Sequence, residues 1–274
     1  MLRNIVITGI TVFFIGITYG LKGNSIKPAV MTKYEEQLAK EWASLEQQML
    51  QKLSLSQDEW VRFTKKNRYR YLSYEKATKK RRKKSSSPIS STLHLLISNL
   101  FKNIHIDPKQ VELIRYETNK HLQATDSAIY FSEHKLEQYN YSNAEIEASI
   151  LHELQHILHK DDSFIYLLEK FMEFHGSEQG INRHEFNSLR KNIRHFHEKR
   201  ADILAGLHAI TYAQALLHFY TRIYQLLESD GYVDQDTDTH PSLAKRIAYL
   251  KKVCTDMAAD PATNKDQIHP QIRI

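Results

Sequence analysis

The sequence predicts a mainly helical α+β fold with a small β-sheet. Glycine and proline are scarce, with 8 and 6 of the 274 residues, whereas Leu, Ala, Glu, Lys and Gln, which favour helices, are common. Apolar residues recur at helical spacing in several segments, and only two short runs are rich in β-forming residues. With 41% hydrophobic and 26% charged residues, the chain can bury a substantial core.

Helical patterns follow one another along most of the chain. The first is an amphipathic pattern over Tyr34–Leu53, and Ser56-x-x-Glu59 forms a capping box that opens the next helix. From residue 92 onward, helical patterns cover residues 92–103, 144–158, 163–174, 186–207, 212–227 and 242–253.

Two runs rich in β-branched and aromatic residues predict strands. They are Val111–Glu117, after a turn at Asp107-Pro108, and Ala128–Phe131, shortly before the helical pattern at 144–158. The polar segment Glu228–Thr239 predicts a loop between the last two helices.

The N-terminal segment Ile5–Leu21 is apolar, with Arg3 before it and Lys22 and Lys27 after it. About 17 residues is the lower limit for crossing a bilayer, so both an uncleaved anchor and a cleaved signal peptide are consistent with this segment. Its signal-like shape favours a membrane-anchored or exported protein with a periplasmic or extracytoplasmic main domain. The cytoplasmic side is the alternative, because basic residues flank the segment on both sides. Cys254 is the only cysteine, which excludes an internal disulfide and an N-terminal lipoprotein anchor.

Composition divides the chain into three parts. Residues 1–21 are the signal or anchor segment, residues 22–91 a helical accessory region, and residues 92–274 the domain that carries the motifs described below. The basic run Lys79–Lys84, followed by three serines and Pro88, predicts an exposed linker near the end of the accessory region.

The net charge of +6 and a pI near 9.1 raise the question of a nucleic-acid partner. Tyr69, Tyr71 and Tyr74 precede the basic run Lys79–Lys84 and could stack on bases. No helix-turn-helix, zinc-finger or RNA-binding signature accompanies them, so nucleic acid is disfavoured. Contact of Lys79–Lys84 with anionic lipid headgroups explains the same charge, and so does a solvated charge run.

One helical pattern carries a metal-binding motif. His152 and His156 are four residues apart and therefore share one face of the helix, with Glu153 between them. This spacing is typical of zinc peptidases. Zinc lowers the pKa of a bound water toward neutrality, and Glu153 can take the proton of that water as the general base.

Catalytic zinc takes three protein ligands, so a third ligand is expected elsewhere in the chain. The metzincin continuation would place a glycine and a ligand where the sequence has His159 and Asp162, and without the glycine its tight turn is lost. Glu198, in a later helical pattern, is the better candidate. Asp202 lies one turn further on the same face, where a carboxylate can accept the free N–H of a ligating histidine. The alternative for both carboxylates is an ordinary surface salt bridge.

Two other interpretations of the motif stay open. Glu153-x-x-His156 also matches the Glu-x-x-His element of helical di-metal bundles, but these need the element twice and the sequence has no second copy. A catalytically inactive peptidase that keeps the scaffold for binding is the other alternative. The presence of all expected ligands and of the base favours an active enzyme.

Three separated motifs occur in an order that resembles a known family. They are His152-Glu153-x-x-His156, Glu198-x-x-Ala201-Asp202, and Thr239-His240-Pro241 followed by Arg246. Over about Leu93–Val253 the chain resembles the HtpX-type and CAAX-prenyl-protease-type zinc metallopeptidases, a branch of the gluzincins with mitochondrial Oma-type and periplasmic members.

This resemblance implies a zincin-like metallopeptidase domain with zinc as its cofactor. It implies that His152, His156 and Glu198 bind the metal and that Glu153 is the general base. It also implies that His240 lies near the oxyanion of the substrate and that Arg246 braces the site. By their local sequence alone, His240 would simply precede a helix and Arg246 would be a solvated charge on it.

The integral-membrane relatives carry several spanning segments, whereas this sequence has no comparable apolar run after Ile5–Leu21. The chain is similar instead to the forms with a soluble catalytic domain on one tether, which implies a protein or peptide substrate and membrane-associated processing or quality control. In zincins of this shape an edge strand beside the metal holds an extended substrate. By analogy Ala128–Phe131 is the candidate, and a purely structural strand is the alternative.

Overall fold

The computed structural model describes residues 29–84, 86, 88–116 and 122–260. These residues form helices and one small sheet, which confirms the mainly helical α+β expectation. The helices are α1 (Ala29–Lys52), α2 (Gln57–Lys84), α3 (Ser91–Asn103), α4 (Glu133–Gln138), α5 (Asn143–His159), α6 (Asp161–His175), α7 (Arg183–Leu207), α8 (Ile210–Ser229) and α9 (Leu243–Ala259), and the strands are β1 (Glu112–Arg115), β2 (Leu122–Ala124) and β3 (Ala128–Phe131).

Local sequence signals set the ends of the helix with the two histidines. The side chain of Ser142 accepts a hydrogen bond from the backbone N–H of Glu145, and Glu145 accepts one from the N–H of Ser142, so a capping box starts α5. Lys160 ends the helix in the left-handed conformation, with φ of 59°. This single residue reverses the chain, and α6 therefore begins at once with Asp161.

The sheet has the strand order β1-β3-β2, with β1 parallel and β2 antiparallel to β3. All four residues of β3 are buried. The interpretation of Ala128–Phe131 as an edge strand is therefore wrong, because β3 is the central strand and has a paired neighbour on each side. The described edge strand that contacts α5 is β2, whose three residues lack a β-branched side chain and gave no strand signal in the sequence.

The N-terminal helices share a core with the later part of the chain. Trp42 of α1 packs against Phe164 and Phe196, with ring centroids 5.2 and 5.4 Å apart. Trp60 of α2 packs against Phe171 of α6 in the same cluster. A second apolar cluster joins α3, the sheet, α5 and α8. Helices α7, α8 and α9 pack on one another, and α5 packs on α7 and α8.

The basic run Lys79–Lys84 forms the last turns of α2, so the linker that its composition predicted is helical up to Lys84. The apolar segment Ile5–Leu21 lies outside the described residues, and none of the described helices is long and apolar enough to cross a membrane.

Candidate metal centre

Three side chains from two helices, α5 and α7, converge on one another. On α5, His152 and His156 present their Nε2 atoms to each other at 3.1 Å. From α7, Glu198 places Oε2 3.5 Å from Nε2 of His152 and Oε1 3.5 Å from Nε2 of His156. Within the described ranges, this is the one group of His, Cys, Asp and Glu ligand atoms close enough to hold a metal ion, with all three atoms within 4.8 Å of one another.

These separations fit three ligands of one tetrahedrally coordinated metal ion, for which zinc gives the reference distances. Bonds of about 2.0–2.1 Å at tetrahedral angles place ligand atoms about 3.3 Å apart. The observed separations of 3.1, 3.5 and 3.5 Å lie close to that value. In addition, Oε2 of Glu198 is buried and makes no well-formed hydrogen bond with the described residues, its polar neighbours being Nη1 of Arg246 at 3.4 Å and Nε2 of His152 at 3.5 Å. A bound cation would complete the contacts of this buried carboxylate oxygen.

A carboxylate lies behind each histidine. Nδ1 of His156 lies 2.8 Å from Oδ2 of Asp161 in hydrogen-bond geometry, and Nδ1 of His152 lies 2.8 Å from Oδ1 of Asp202 but is not aligned for a straight hydrogen bond. When Nδ1 carries its proton toward a carboxylate, Nε2 keeps a lone pair for a metal. The sequence predicted Asp202 in this position but not Asp161. Helical spacing could not predict the contact of Asp161 with His156, because the chain reversal at Lys160 places Asp161 beside His156.

Asp202 is itself held by buried groups. Arg246 donates from Nε to Oδ2 and from Nη2 to Oδ1 of Asp202, each at 2.7 Å. The hydroxyl of Tyr220 donates to Oδ1 at 2.8 Å, and the hydroxyl of Tyr249 donates to Oδ2. Arg246 is only 6% exposed, so it is not the solvated charge that its local sequence suggested. Nη1 of Arg246 also lies 3.4 Å from Oε2 of Glu198, so Arg246 links Asp202 to Glu198, the third candidate ligand.

Asp161 has a comparable anchor on the other side of the site. The buried guanidinium of Arg200, from α7, donates to its Oδ1, and Nδ1 of His197 is 3.6 Å from the same oxygen. Burial raises the pKa of Asp161, but the charge of Arg200 outweighs it and holds the pKa well below its usual range. Arg200 and Asp161 had no assigned role in the sequence interpretation.

The surrounding carboxylates favour positive charge between the two imidazoles. Burial lowers the pKa of His152, but Asp202 and then Glu198 outweigh it and raise the pKa to about 10. Burial likewise lowers the pKa of His156, and Asp161 and Glu198 reverse the shift. A histidine pKa rises where positive charge is stabilised, so these shifts report that carboxylates surround the two imidazoles, Asp202 and Asp161 behind them and Glu198 in front.

The third candidate ligand is ionised, as a metal ligand must be. Burial raises the pKa of Glu198, but the close contact with His152 and the charges of His156 and Arg246 lower it far below its usual range. Glu153 shows the opposite shift, because burial raises its pKa and the two histidines only partly offset this. Its side chain is partly exposed, whereas that of His152 is buried.

His240 lies at the open side of the centre. Its side chain is 45% exposed, and its Nε2 is 3.6 Å from Oε1 of Glu198. The loop before α9 fixes its position, since the backbone N–H of His240 donates to Oγ1 of Thr237 at 2.9 Å. Asp234 and Asp236 hold the same loop on the start of α9 by accepting backbone N–H groups of residues 242–244.

The other histidines close to the motif have different partners. Nδ1 of His159 is 2.9 Å from the carbonyl oxygen of Gln155, and burial lowers the pKa of His159 to about 4. His197 packs against Trp42 with 5.6 Å between ring centroids, and burial lowers its pKa to about 3. Nε2 of His195 contacts the carbonyl oxygen of Thr237 at 2.7 Å. None of these three belongs to the candidate ligand group.

Comparison of the chain with protein-family models, with curated proteins and with solved structures finds no match. What the centre can do is therefore inferred from its geometry and chemistry.

Proposed function

We propose that this protein is a zinc-dependent endopeptidase with a zincin-like domain, related to the HtpX-type gluzincins. The observation that carries the proposal is the convergence of two imidazole nitrogens and one carboxylate at 3.1–3.5 Å. Three ligands leave a fourth tetrahedral position for solvent, which distinguishes a catalytic from a closed structural zinc site. The sheet that packs beside α5 is consistent with a zincin-like arrangement.

His152, His156 and Glu198 would hold the zinc, which would supply the Lewis acidity that makes a water acidic enough to lose a proton near neutral pH. Glu153 stays outside the ligand group, and burial raises its pKa above the usual range of a carboxylate, which makes it a better proton acceptor. As the general base, Glu153 accepts the proton of the attacking water and then delivers it to the leaving nitrogen. His240, beside Glu198 and open to solvent, is suited to donate a hydrogen bond to the carbonyl oxygen of the substrate as negative charge develops there.

The remaining polar groups orient the ligands. Asp202 and Asp161 hold the two imidazoles, and Arg246 and Arg200 keep these carboxylates ionised and fixed. Because the supports come from α6, α7, α8 and α9, the ligand geometry is set by the packed core rather than by a mobile loop.

For substrate binding, β2 replaces β3 as the candidate strand. Among the described strands β2 pairs only with β3, and it packs against α5. We propose that an extended peptide adds to the free edge of β2 and is held there by backbone hydrogen bonds.

We further propose that Ile5–Leu21 attaches the enzyme to a membrane, with the catalytic domain on the extracytoplasmic side. Extraction of membranes at alkaline pH tests the attachment, since an integral anchor stays in the pellet. Protease treatment of intact cells tests the orientation, since an outer domain is digested and a cytoplasmic one is protected.

Metal content and casein cleavage by the purified full chain test the catalytic proposal. We expect one zinc per chain, a lower zinc content in Glu198→Ala, and an unchanged content in Glu185→Ala, which removes an exposed carboxylate from the same helix. Glu153→Gln should retain zinc and lose at least about 100-fold of the cleavage rate, the usual contribution of a general base. Glu137→Gln, at an exposed position, is the control.

Two outcomes would exclude the proposal. Cleavage by Glu153→Gln at the rate of the unaltered chain would remove the hydrolytic mechanism. Stoichiometric zinc without any cleavage by the unaltered chain would favour an inactive peptidase that only binds its partner.

A further inference from the structure

The positive charge of this protein is concentrated in one helix. Helix α2 contains 12 Lys and Arg and 3 Asp and Glu, a formal charge of +9, whereas the full chain carries +6. The rest of the chain is therefore net negative by 3 charges. A helix that carries more positive charge than the whole protein creates a locally positive potential, which attracts negatively charged partners more strongly than evenly distributed lysines would.

The C-terminal cations of α2 are largely engaged by the protein itself. Nζ of Lys79 lies 3.3 Å from Oε2 of Glu112, and Lys83 pairs with the other oxygen of Glu112. The guanidinium of Arg82 lies over the ring of Tyr130, 4.1 Å from its centroid. Lys79, Arg82 and Lys83 of the basic run therefore fasten the end of α2 to the sheet. Other exposed cations of α2 include Arg62 and Lys65 near its start, Lys76 just before the basic run, and Lys80 within it.

The buried and outward faces of α2 differ sharply. The buried face consists of residues spaced three, four or seven apart, namely Trp60, Asn67, Tyr71, Glu75 and Thr78. On the opposite side, Val61, Tyr69 and Leu72 are 42%, 59% and 50% exposed. Spacings of eight and three residues place these three large apolar side chains on one side of the helix.

Four exposed cations lie between and beside these apolar side chains, namely Arg62, Lys65, Lys76 and Lys80. Together with Val61, Tyr69 and Leu72 they form what we call the outward face of α2. Exposed apolar groups interleaved with Lys and Arg are the composition of helices that lie in the interface of a bilayer.

We propose that the outward face of α2 docks on the surface of an anionic phospholipid bilayer. The cations meet the negatively charged headgroups, and the apolar side chains enter the boundary between headgroups and acyl chains. Docking in this way lays the body of the protein against the membrane. It requires neither metal nor peptidase activity, because no residue of the outward face belongs to the metal centre.

The structure favours a bilayer over a nucleic acid. Of the three tyrosines that could have stacked on bases, Tyr71 is buried and Tyr74 stacks on Tyr166 at 5.0 Å, which leaves Tyr69. Binding of single strands depends on several aromatic platforms along a basic groove. The branched aliphatic side chains of Val61 and Leu72 make no favourable contact with a phosphate backbone, whereas a bilayer interface removes them from water.

Partition of the full chain between vesicles tests the proposal. Vesicles of phosphatidylcholine are compared with vesicles in which about a third of the lipid is phosphatidylglycerol, and bound protein is measured by sedimentation. Because Ile5–Leu21 is apolar and partitions into both kinds of vesicle, the informative quantity is the preference for the anionic vesicles. We expect a strong preference that falls as salt is raised.

Neutralising the outward face should abolish this preference. Each basic residue near an anionic surface contributes about a fivefold increase in partition, so the change of Arg62, Lys65, Lys76 and Lys80 to Gln should reduce the preference on the order of a hundredfold or more. The matched control changes Lys40, Lys102, Lys109 and Arg183 to Gln, which removes the same charge from exposed positions outside α2. The control should keep most of the preference.

The apolar component is tested by Val61→Gln with Leu72→Gln, at positions where the side chains are half exposed and the fold is expected to persist. This double variant should weaken the binding to anionic vesicles that survives at high salt. Equal losses in the cationic variant and its control would overturn the proposal. It would also be overturned if a duplex or single-stranded oligonucleotide bound more tightly than the anionic vesicles and the double variant bound it unchanged.

Discussion

Replacement of Asp202 by Asn should weaken both metal binding and the fold, to different and calculable extents. Asp202 is fully buried and contacts His152, Arg246, Tyr220 and Tyr249. Asn has nearly the same shape but no charge. The substitution therefore removes the anion while leaving little cavity, so the measured effects report the electrostatics of the carboxylate.

The loss of stability comes from Arg246. Its guanidinium is 6% exposed and makes two hydrogen bonds of 2.7 Å to Asp202. Leaving a buried charge without its partner costs about 3–5 kcal/mol. Urea unfolding of the metal-free protein measures this loss. In the same variant the imidazole of His152 loses the carboxylate at its Nδ1, and such supports change metal affinity about 10- to 100-fold.

Zinc affinity is measured by competition with a chromophoric chelator, with Asp161→Asn as the companion variant on the other histidine. We expect both variants to bind zinc about 10- to 100-fold more weakly. A stability loss in Asp202→Asn with zinc affinity within a factor of about two of the unaltered protein would refute the role of Asp202 in orienting His152. A variant as stable as the unaltered protein would refute the account of the buried Arg246.

Three further predictions concern the fold. Burial raises the pKa of Asp162 to about 6, although the hydrogen bond from Tyr71 opposes this shift. The ionised side chain therefore destabilises the folded protein. This loss of stability is absent below about pH 4, grows as the pH rises to about 6, and persists at higher pH. In urea unfolding, Asp162→Asn should accordingly have the same free energy of unfolding as the unaltered protein near pH 4 and be more stable by up to about 3 kcal/mol near pH 8. An equal difference in free energy of unfolding at both pH values would contradict this prediction. Trp42→Ala should cost about 3–5 kcal/mol in a single cooperative transition because Trp42 joins α1 to α6 and α7, whereas separate melting of the N-terminal helices would show an independent unit. Lys160→Gly should raise the free energy of unfolding by about 0.5–1 kcal/mol, because the φ of 59° at Lys160 is strained for a residue with a side chain. A lower melting temperature of this variant would mean that the contact of Lys160 with the carbonyl oxygen of Asp126 outweighs the backbone strain.

The helices other than the short α4 (Glu133–Gln138), and the three converging ligands, were accessible from the sequence because their signals are local or chemical. Apolar periodicity and the capping box at Ser142 located α5 to within one residue at each end. The expectation that a carboxylate on a later helix completes the ligand group led to Glu198, which lies 3.5 Å from each histidine. The first argument uses spacing along one helix, which survives into the fold, and the second uses the number of ligands that catalytic zinc requires, which the packing of α7 on α5 satisfies.

What the sequence did not reveal depends on tertiary contacts. Strand β2 has no propensity signal and exists because it pairs with β3. Asp161 reaches His156 through a backbone reversal at Lys160, which no periodicity describes. The basic end of α2 was predicted as a linker, but Glu112 and Tyr130 neutralise or cover its cations and hold it as a helix against the sheet.

A crystal structure of the zinc-loaded protein, with anomalous scattering at the zinc edge, tests the central claim most directly. We predict one anomalous peak bonded at about 2.0–2.2 Å to Nε2 of His152, Nε2 of His156 and a carboxylate oxygen of Glu198, with the fourth position open to solvent. A peak held by other residues, or a Glu198 carboxylate turned away from the metal, would contradict it.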